Sequence, residues 1–523
     1  MITNIRIGKL ISVLLLSGLL IGFSCTSNFE EINKNPNAIS NPGKAELAQA
    51  FSKAQSQSAM TFYFYQIGQN LFADLYAQYF ANITSGFRSD RYFIVSGWLQ
   101  GGIWEPTYSQ VLPQLQTLLS SFDPNTPEYA VANVWWVWTF HRMTDYWGPI
   151  PYSKAGLPGS TVAYDSQQEI YDNFFVRLDQ SIATLKANTS ARPYGSSDLV
   201  FGGDAAKWLK FANTLKLRLA LRISKVDAAK AKIQAETAVA DGVMTAQATD
   251  DAWLTKSLKG DDYNGLSIMT PWNEFRMSAS MESVLKGYSD PRMGEYFQPA
   301  EKSNQFQGIR NGLSVAQIGT EGGTDGAAKV FSKPGTRWTS DSRLTYPQVI
   351  MTTAEAYFLR AEGALNGWNM NGTAQGNYEN GIKSSMSQWG ITDVAAVNGY
   401  ISSTAVPIAP GDLLSSPAIS TVPIKYDAAR AREQVATQKW LALYPDGMEA
   451  WADLRRSGQL KLYPVANSEN TDIIVPDLAT QRVRRITFLI SESETNKSGV
   501  EGAKQLLGAG GDKVTTPLWW DKN

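Results

Sequence analysis

Apolar residues recur at spacings of three and four along much of the chain, the period of a helix that buries one face. The pattern predicts helices over 45–82, 103–122, 127–146, 166–188, 204–224, 227–240, 352–366, 376–389 and 430–444. Ser166-Gln167-Gln168-Glu169 has the form of a capping box, in which the Ser oxygen accepts from an orphan helix N–H and the Glu reaches back to the cap. Behind it Ile170, Phe174, Leu178, Ile182 and Leu185 line one face, as do Trp208, Phe211, Leu215, Leu219 and Arg222 after a capping Asp204. Lys207, Lys210, Lys216 and Arg218 spread around that helix and are expected in solvent. Gly367, just past the helix at 352–366, suits a left-handed C-terminal cap. Short helices joined by short turns imply stacked helical hairpins. Between them lie long polar and aromatic segments at 83–102, 242–277, 291–346, 391–429 and 465–482, where a binding site is expected.

The amino terminus breaks this pattern. An apolar run of about 14 residues, Leu10–Phe23, follows Arg6 and Lys9 and is shorter than the ~20 residues a spanning helix needs. It reads as a signal peptide over residues 1–24, ending at Cys25, the only cysteine among 523 residues. Gly22-Phe23-Ser24-Cys25 approximates the cleavage site of a bacterial lipoprotein, with Gly22 where Leu is usual and Phe23 where a smaller residue is usual. Lipid on Cys25 would anchor a tether, 25–44, and a single helical domain, 45–523. More than one acyl chain makes such attachment stable, at ~0.8 kcal/mol per buried methylene.

Composition narrows the function further. Hydrophobic residues at 43% and charged residues at 18% favour a folded body with a large core. Lys plus Arg at 47 nearly cancels Asp plus Glu at 48, so no bulk field draws the protein to nucleic acid. One cysteine excludes a disulfide framework, and one histidine, His141, excludes a paired-histidine metal site. His141 sits in the apolar run Trp135–Met143 and reads as a buried helix residue. No nucleophile elbow, P-loop or dinucleotide motif occurs. A glycosidase carboxylate pair leaves no sequence pattern, so a surface glycoside hydrolase stays an alternative. No cofactor is expected. Asp261-Asp262-Tyr263-Asn264-Gly265 carries oxygen ligands for calcium but lacks the other positions of an EF-hand, so a surface turn is the simpler reading.

Several ordered strings resemble one family. Asn28–Asn37 after the cysteine, Thr144-Asp145-Tyr146-Trp147-Gly148-Pro149-Ile150-Pro151-Tyr152, Phe201-Gly202-Gly203-Asp204 with Lys207-Trp208, Ala354–Glu362, and Gly447–Gly458 with Arg455-Arg456 resemble the SusD/RagB nutrient-binding outer-membrane lipoproteins. Asp290-Pro291-Arg292 adds to the likeness. The resemblance implies a mainly α SusD-like fold, TPR-like helical hairpins in a right-handed superhelix with an irregular, loop-rich ligand-binding region. It implies a lid over a SusC-like TonB-dependent transporter that captures oligosaccharide, or peptide in some relatives, at the extracellular face of the outer membrane. Glu30-Glu31 fits an acidic export signal. The motifs themselves read as scaffold. Asp145 and Trp147 are expected to cap a helix before Pro149 and Pro151, and Arg455 and Arg456 to pair with carboxylates or carbonyls inside the helical array.

An oligosaccharide site needs flat aromatic faces for pyranose C–H surfaces and planar polar groups for hydroxyls. If one sugar face removes roughly 40 Å² from water, stacking contributes about 1 kcal/mol at ~25 cal/mol per Å². Affinity therefore requires several subsites. The first candidate cluster is Phe87, Arg88, Arg91 and Tyr92 with Trp98. Tyr263, Trp272, Asn273 and Arg276 form a second, and Trp338 is a third candidate.

Overall fold

Helix propensity and burial explain the architecture from its centre outward. The computed structural model describes residues 42–157 and 161–523. The signal peptide, Cys25 and nearly all of the tether lie outside them. The chain divides into two compact units, Met1–Leu47 and Ala48–Asn523, and apart from the first turn of helix Lys44–Ser58 the elements belong to the second. The helices include α1 (Lys44–Ser58), α2 (Leu112–Ser121), α3 (Pro127–Trp147), α4 (Gln167–Ala187), α5 (Ala205–Arg222), α6 (Ala228–Asp241), α7 (Ala279–Gly287), α8 (Thr353–Leu365), α9 (Ala374–Gln388), α10 (Ala431–Leu443) and α11 (Gly447–Ser457). Successive helices α3 to α6 pack each on the next, as do α8 to α11, and α8 returns to pack on α5. The expected helical hairpins are present.

Helix α3 is the axis of this array. Pro127 opens it, the Thr126 side chain accepts from the Tyr129 N–H, and every residue from Ala130 to Trp147 is buried. A helix buried on all sides lies inside other helices, and its polar residues Asn133, His141, Arg142 and Asp145 are buried with the apolar ones. The capping box at α4 forms as predicted, with both reciprocal bonds present. Asp204 caps α5, accepting from the Ala206 and Lys207 N–H groups, and Gly367 takes φ +76° after α8.

Three expectations need correction. The single helix over 45–82 is instead α1, a π-helical segment Gln66–Asp74 and a strand. Left-handed backbone at Met60 and Phe62 interrupts it, and the freed Ser58 carbonyl accepts from Arg142 Nη1 at 3.2 Å, a bond supplied 84 residues downstream. The segment at 103–122 begins earlier and reaches α2 through two π-helical turns, Gln100–Trp104 and Thr107–Val111. There Gly102 lies so close to Gly68 that a Cβ would stand 2.5 Å from its nitrogen. Lys216 and Arg218 are buried, not solvated. Arg218 donates to both Glu355 oxygens at 2.6 Å, Arg222 reaches Glu449 at 2.5 Å, and His141 meets Arg218 at 3.4 Å. Burial and the neighbouring arginines hold His141 well below its ordinary pKa, hence neutral.

Motif residues are scaffold, though not in the predicted manner. Asp145 caps nothing; its carboxylate accepts from Tyr171 Oη at 2.6 Å and Trp520 Nε1 at 2.9 Å. The helix end is fixed by Gly148 at φ +81°, whose carbonyl accepts from Thr144 Oγ1 at 2.6 Å. Trp147 is wholly buried against Trp104. Arg455 donates to the Asp145 and Arg484 carbonyls, and Arg456 to Glu362 and Asp453. Both arginines therefore do what their position in the array demands.

Two short antiparallel ladders organise the intervening segments. Strand β1 (Phe80–Asn82) pairs with β3 (Phe275–Met277), and β2 (Ala252–Leu254) with β4 (Gln348–Met351). Among the described residues no helix is long and apolar enough to cross a membrane.

Candidate functional site

The β1–β3 ladder decides where the predicted ligand residues lie. Its register pairs Asn82 with Phe275, and the Ile83 N–H continues it by donating to the Glu274 carbonyl at 3.0 Å. The loop carrying Phe87 and Trp98 and the segment carrying Trp272 and Asn273 thus leave one end of one ladder. Gln66 Nε2 donates to Glu274 at 2.6 Å, and the Phe62 N–H to the Tyr263 carbonyl at 3.2 Å. Three segments distant in sequence, 62–67, 83–98 and 261–276, converge there.

Exposure sorts the candidates. Trp272 is 43% exposed and Tyr63 42%. Phe87 and Trp98 are half-buried with rings edge to face, 5.5 Å apart. Arg88 is exposed, and its guanidinium lies 3.8 Å from the centre of the Phe93 ring. Tyr263 is half-buried and 5.9 Å from Phe62. Asn273 is exposed at φ +60°, its amide oxygen accepting from Arg276 at 2.9 Å.

Arg91, Tyr92 and Arg276 were expected to meet ligand, but they are buried and committed to the scaffold. Arg91 donates to the Leu313 carbonyl at 3.2 Å and pairs with Glu469. Tyr92, left-handed at φ +64°, packs its ring 5.8 Å from Tyr76, and burial pushes its hydroxyl above the ordinary tyrosine pKa. Arg276 spends its donors on the Ala328 and Phe275 carbonyls and on Asn273. Burial brings it down to about 10. Trp338 is 1% exposed, packed on Tyr346, and is core.

Polar groups keep this edge in shape. Buried Asp90 accepts from the Asn82 N–H at 3.1 Å and Asn311 Nδ2 at 2.8 Å. Burial pushes it up to about 6, against the hydrogen bonds that lower it. Sequence reasoning missed Tyr63, Glu274 and Glu469. The run Phe62-Tyr63-Phe64-Tyr65 was a signal for the first, since four consecutive aromatics cannot all face one core. A cleft of about 520 Å³ opens beside Asn273 and Arg276, lined also by Gln298, Glu301, Asp325 and Lys333.

Two of the oxygen-bearing residues in Asp261–Gly265, Asp262 and Asn264, have protein partners. Asp262 accepts from Ser56 Oγ at 2.7 Å and pairs with Lys256 at 3.4 Å. Asn264 caps the turn at Gly265. Among the described residues no group of three or more His, Cys, Asp or Glu could hold a metal ion. What the edge offers chemically is apolar ring faces beside planar hydrogen-bonding groups.

A family model described as SusD-like, Susd and RagB outer membrane lipoprotein, matches residues 29–521. Among solved structures, a chitin-binding SusD homologue from Flavobacterium johnsoniae is 36% identical, with TM-score 0.82 over 91% of this chain and 99% of that one. A SusD homologue from Bacteroides thetaiotaomicron is 28% identical, with TM-score 0.81 over 91% and 99%. A third, described as a chitin-binding protein, is 26% identical, with TM-score 0.74 over 91% and 100%. No curated protein matches.

Proposed function

The chain belongs to the SusD and RagB family of outer membrane lipoproteins, and from that premise we propose that it captures an oligosaccharide at the cell surface and delivers it to a SusC-like TonB-dependent transporter. Lipid on Cys25 holds it to the outer membrane, with the body on the extracellular face. It binds its ligand without cleaving it.

The observation that carries this reading is the convergence of Phe87, Trp98, Trp272 and Tyr63, partly or largely exposed aromatics, on one end of the β1–β3 ladder. Isolated exposed aromatics are ordinary; several on one edge beside Arg88 and Asn273 are the make-up of a glycan platform. A β-linked N-acetylglucosamine oligomer is the ligand we favour, because the 36% identical relative is described as chitin-binding. Such sugars present flat C–H faces to the rings and acetamido groups to Arg88 and Asn273. A peptide ligand is the second reading, supported by the mixed charges of Glu301, Asp325, Lys329 and Lys333 around the adjoining cleft.

Calorimetric titration of chitohexaose, cellohexaose and a mixed-sequence peptide into the wild type and Trp98→Ala tests this. Chitohexaose is expected to bind, Trp98→Ala to weaken it about fivefold, and reducing ends to stay constant over hours. Absence of binding to any sugar, or hydrolysis by homogeneous protein, refutes the proposal.

A further inference from the structure

The segment 465–470 runs as a strap across the back of the aromatic edge. The Ala466 N–H donates to the Asn311 carbonyl at 2.9 Å and Asn467 N–H to Gly312 at 3.0 Å. Further along, the Glu469 N–H donates to the Arg91 carbonyl at 2.7 Å, and Asn470 Nδ2 to the Tyr92 carbonyl at 3.0 Å. The strap is therefore fixed to the loop of 88–92 by backbone as well as side chain.

At its centre the Glu469 carboxylate splits between two guanidiniums, one oxygen accepting from Arg91 Nε and the other from Arg88 Nε. The two arginines differ. Arg91 has a side chain only 4% exposed and is held by the Leu313 carbonyl. Arg88 is 46% exposed, lies on Phe93, and among the described residues its terminal amino groups donate to no protein acceptor. Arg88 directly follows Phe87, whose ring meets that of Trp98 at 5.5 Å. Burial would raise Glu469, yet the hydrogen bonds from Arg91 and Arg88 hold it below the usual carboxylate range, so it stays ionised.

Resting on the glycan reading of this edge, we propose that Glu469 is a positioning residue of the ligand site: it transfers the fixed geometry of Arg91 to Arg88 and so presents the terminal amino groups of Arg88 as pre-set donors for a sugar hydroxyl or acetamido carbonyl. A long, rotamer-rich side chain otherwise has to be ordered at each binding event, and pre-ordering it removes that cost. The exposed arm of the pair, Arg88 to Glu469, contributes little to folding stability, whereas the Arg91 arm is buried, so a melting curve must accompany each affinity.

The experiment titrates chitohexaose into the full mature chain carrying Glu469→Gln, Glu469→Asp, Arg88→Ala, the double variant Arg88→Ala/Glu469→Gln, or Trp98→Ala, with a melting curve for each. Glu469→Gln and Arg88→Ala are each expected to raise Kd about three- to tenfold, the size expected for one ordered side chain. The double variant should be no weaker than either single one, and Glu469→Asp should recover most of the affinity. Unchanged Kd in Glu469→Gln while Trp98→Ala weakens binding overturns the role of Glu469 and leaves the platform standing. Effects of Glu469→Gln and Arg88→Ala that multiply in the double variant overturn it, because the two then act independently. A fall in melting temperature with no recovery in Glu469→Asp assigns Glu469 to folding alone and also overturns it. Neutral Trp98→Ala together with neutral Glu469→Gln removes the site reading along with the inference.

Discussion

Trp272→Ala and Trp338→Ala should have opposite consequences, although the sequence offers both as sugar-stacking residues. Trp272 is 43% exposed and Trp338 is 1% exposed. Truncating Trp272 opens no cavity in the core, and the expected loss of stability stays below ~1.5 kcal/mol. It removes one stacking face. Roughly 40 Å² of apolar contact at ~25 cal/mol per Å² is about 1 kcal/mol, or about a fivefold rise in Kd for chitohexaose. Trp338→Ala empties a site walled by Tyr346 and should cost about 3 to 5 kcal/mol of stability. With an unfolding entropy of ~2.1 cal/mol/K per residue over ~480 residues, each kcal/mol moves the melting temperature by about 1 °C. The Trp338→Ala shift is then about 3 to 5 °C with affinity retained at a temperature where the variant is folded. Calorimetric titration and a melting curve on the same two preparations check both. Intact affinity in Trp272→Ala, or a melting loss as large as that of Trp338→Ala, refutes the argument that exposure separates ligand aromatics from core.

Asp74 should make stability depend on pH. Burial pushes its carboxyl from 3.8 up to about 7, against hydrogen bonds from Gln69, Tyr65 and Asn70. The native state therefore holds this proton more tightly than the unfolded chain, so the contribution is full below pH 3.8 and is lost as pH rises through 7, about 4 kcal/mol in all. Relative to wild type, Asp74→Asn should gain stability between pH 5 and pH 8 in urea unfolding, and parallel curves at the two pH values count against the burial argument. Gly447→Ala should destabilise by about 3 kcal/mol, because its Cβ would stand 2.1 Å from Asp74 Oδ1 and 2.7 Å from the Asp74 Cα; an unchanged melting temperature speaks against that contact. Cys25→Ala should leave the protein unprocessed or soluble, read by fractionation without the transporter, and unchanged sedimentation with outer membrane argues against Cys25 as the anchor.

Local chemistry was legible in the sequence and distant chemistry was not. The capping box at Ser166 and Glu169, the Asp204 cap and the left-handed Gly367 each depend on residues a few positions apart, and each forms. The break after Ser58 depends on Arg142, whose bond to the Ser58 carbonyl joins positions 84 apart, and no periodicity within 45–82 carries that information. Lys216 and Arg218 looked solvated for the same reason. A charge reads as exposed until its partner is known, and Glu355 lies 137 positions from Arg218. The candidate site divides along this line. The loops that carry Trp98 and Trp272 leave the same end of the β1–β3 ladder, and both residues keep exposed area. Their polar companions were misassigned, because Arg91 and Arg276 have the same side chain as Arg88 and differ only in what buries them. Both Arg88 and Arg91 pair with Glu469, and what separates them is the Leu313 carbonyl, 222 positions from Arg91, which holds the buried one. An edge of this kind is therefore specified twice, by aromatic content within a loop and by carboxylates and carbonyls supplied from elsewhere in the chain, and only the first is written in the loop itself.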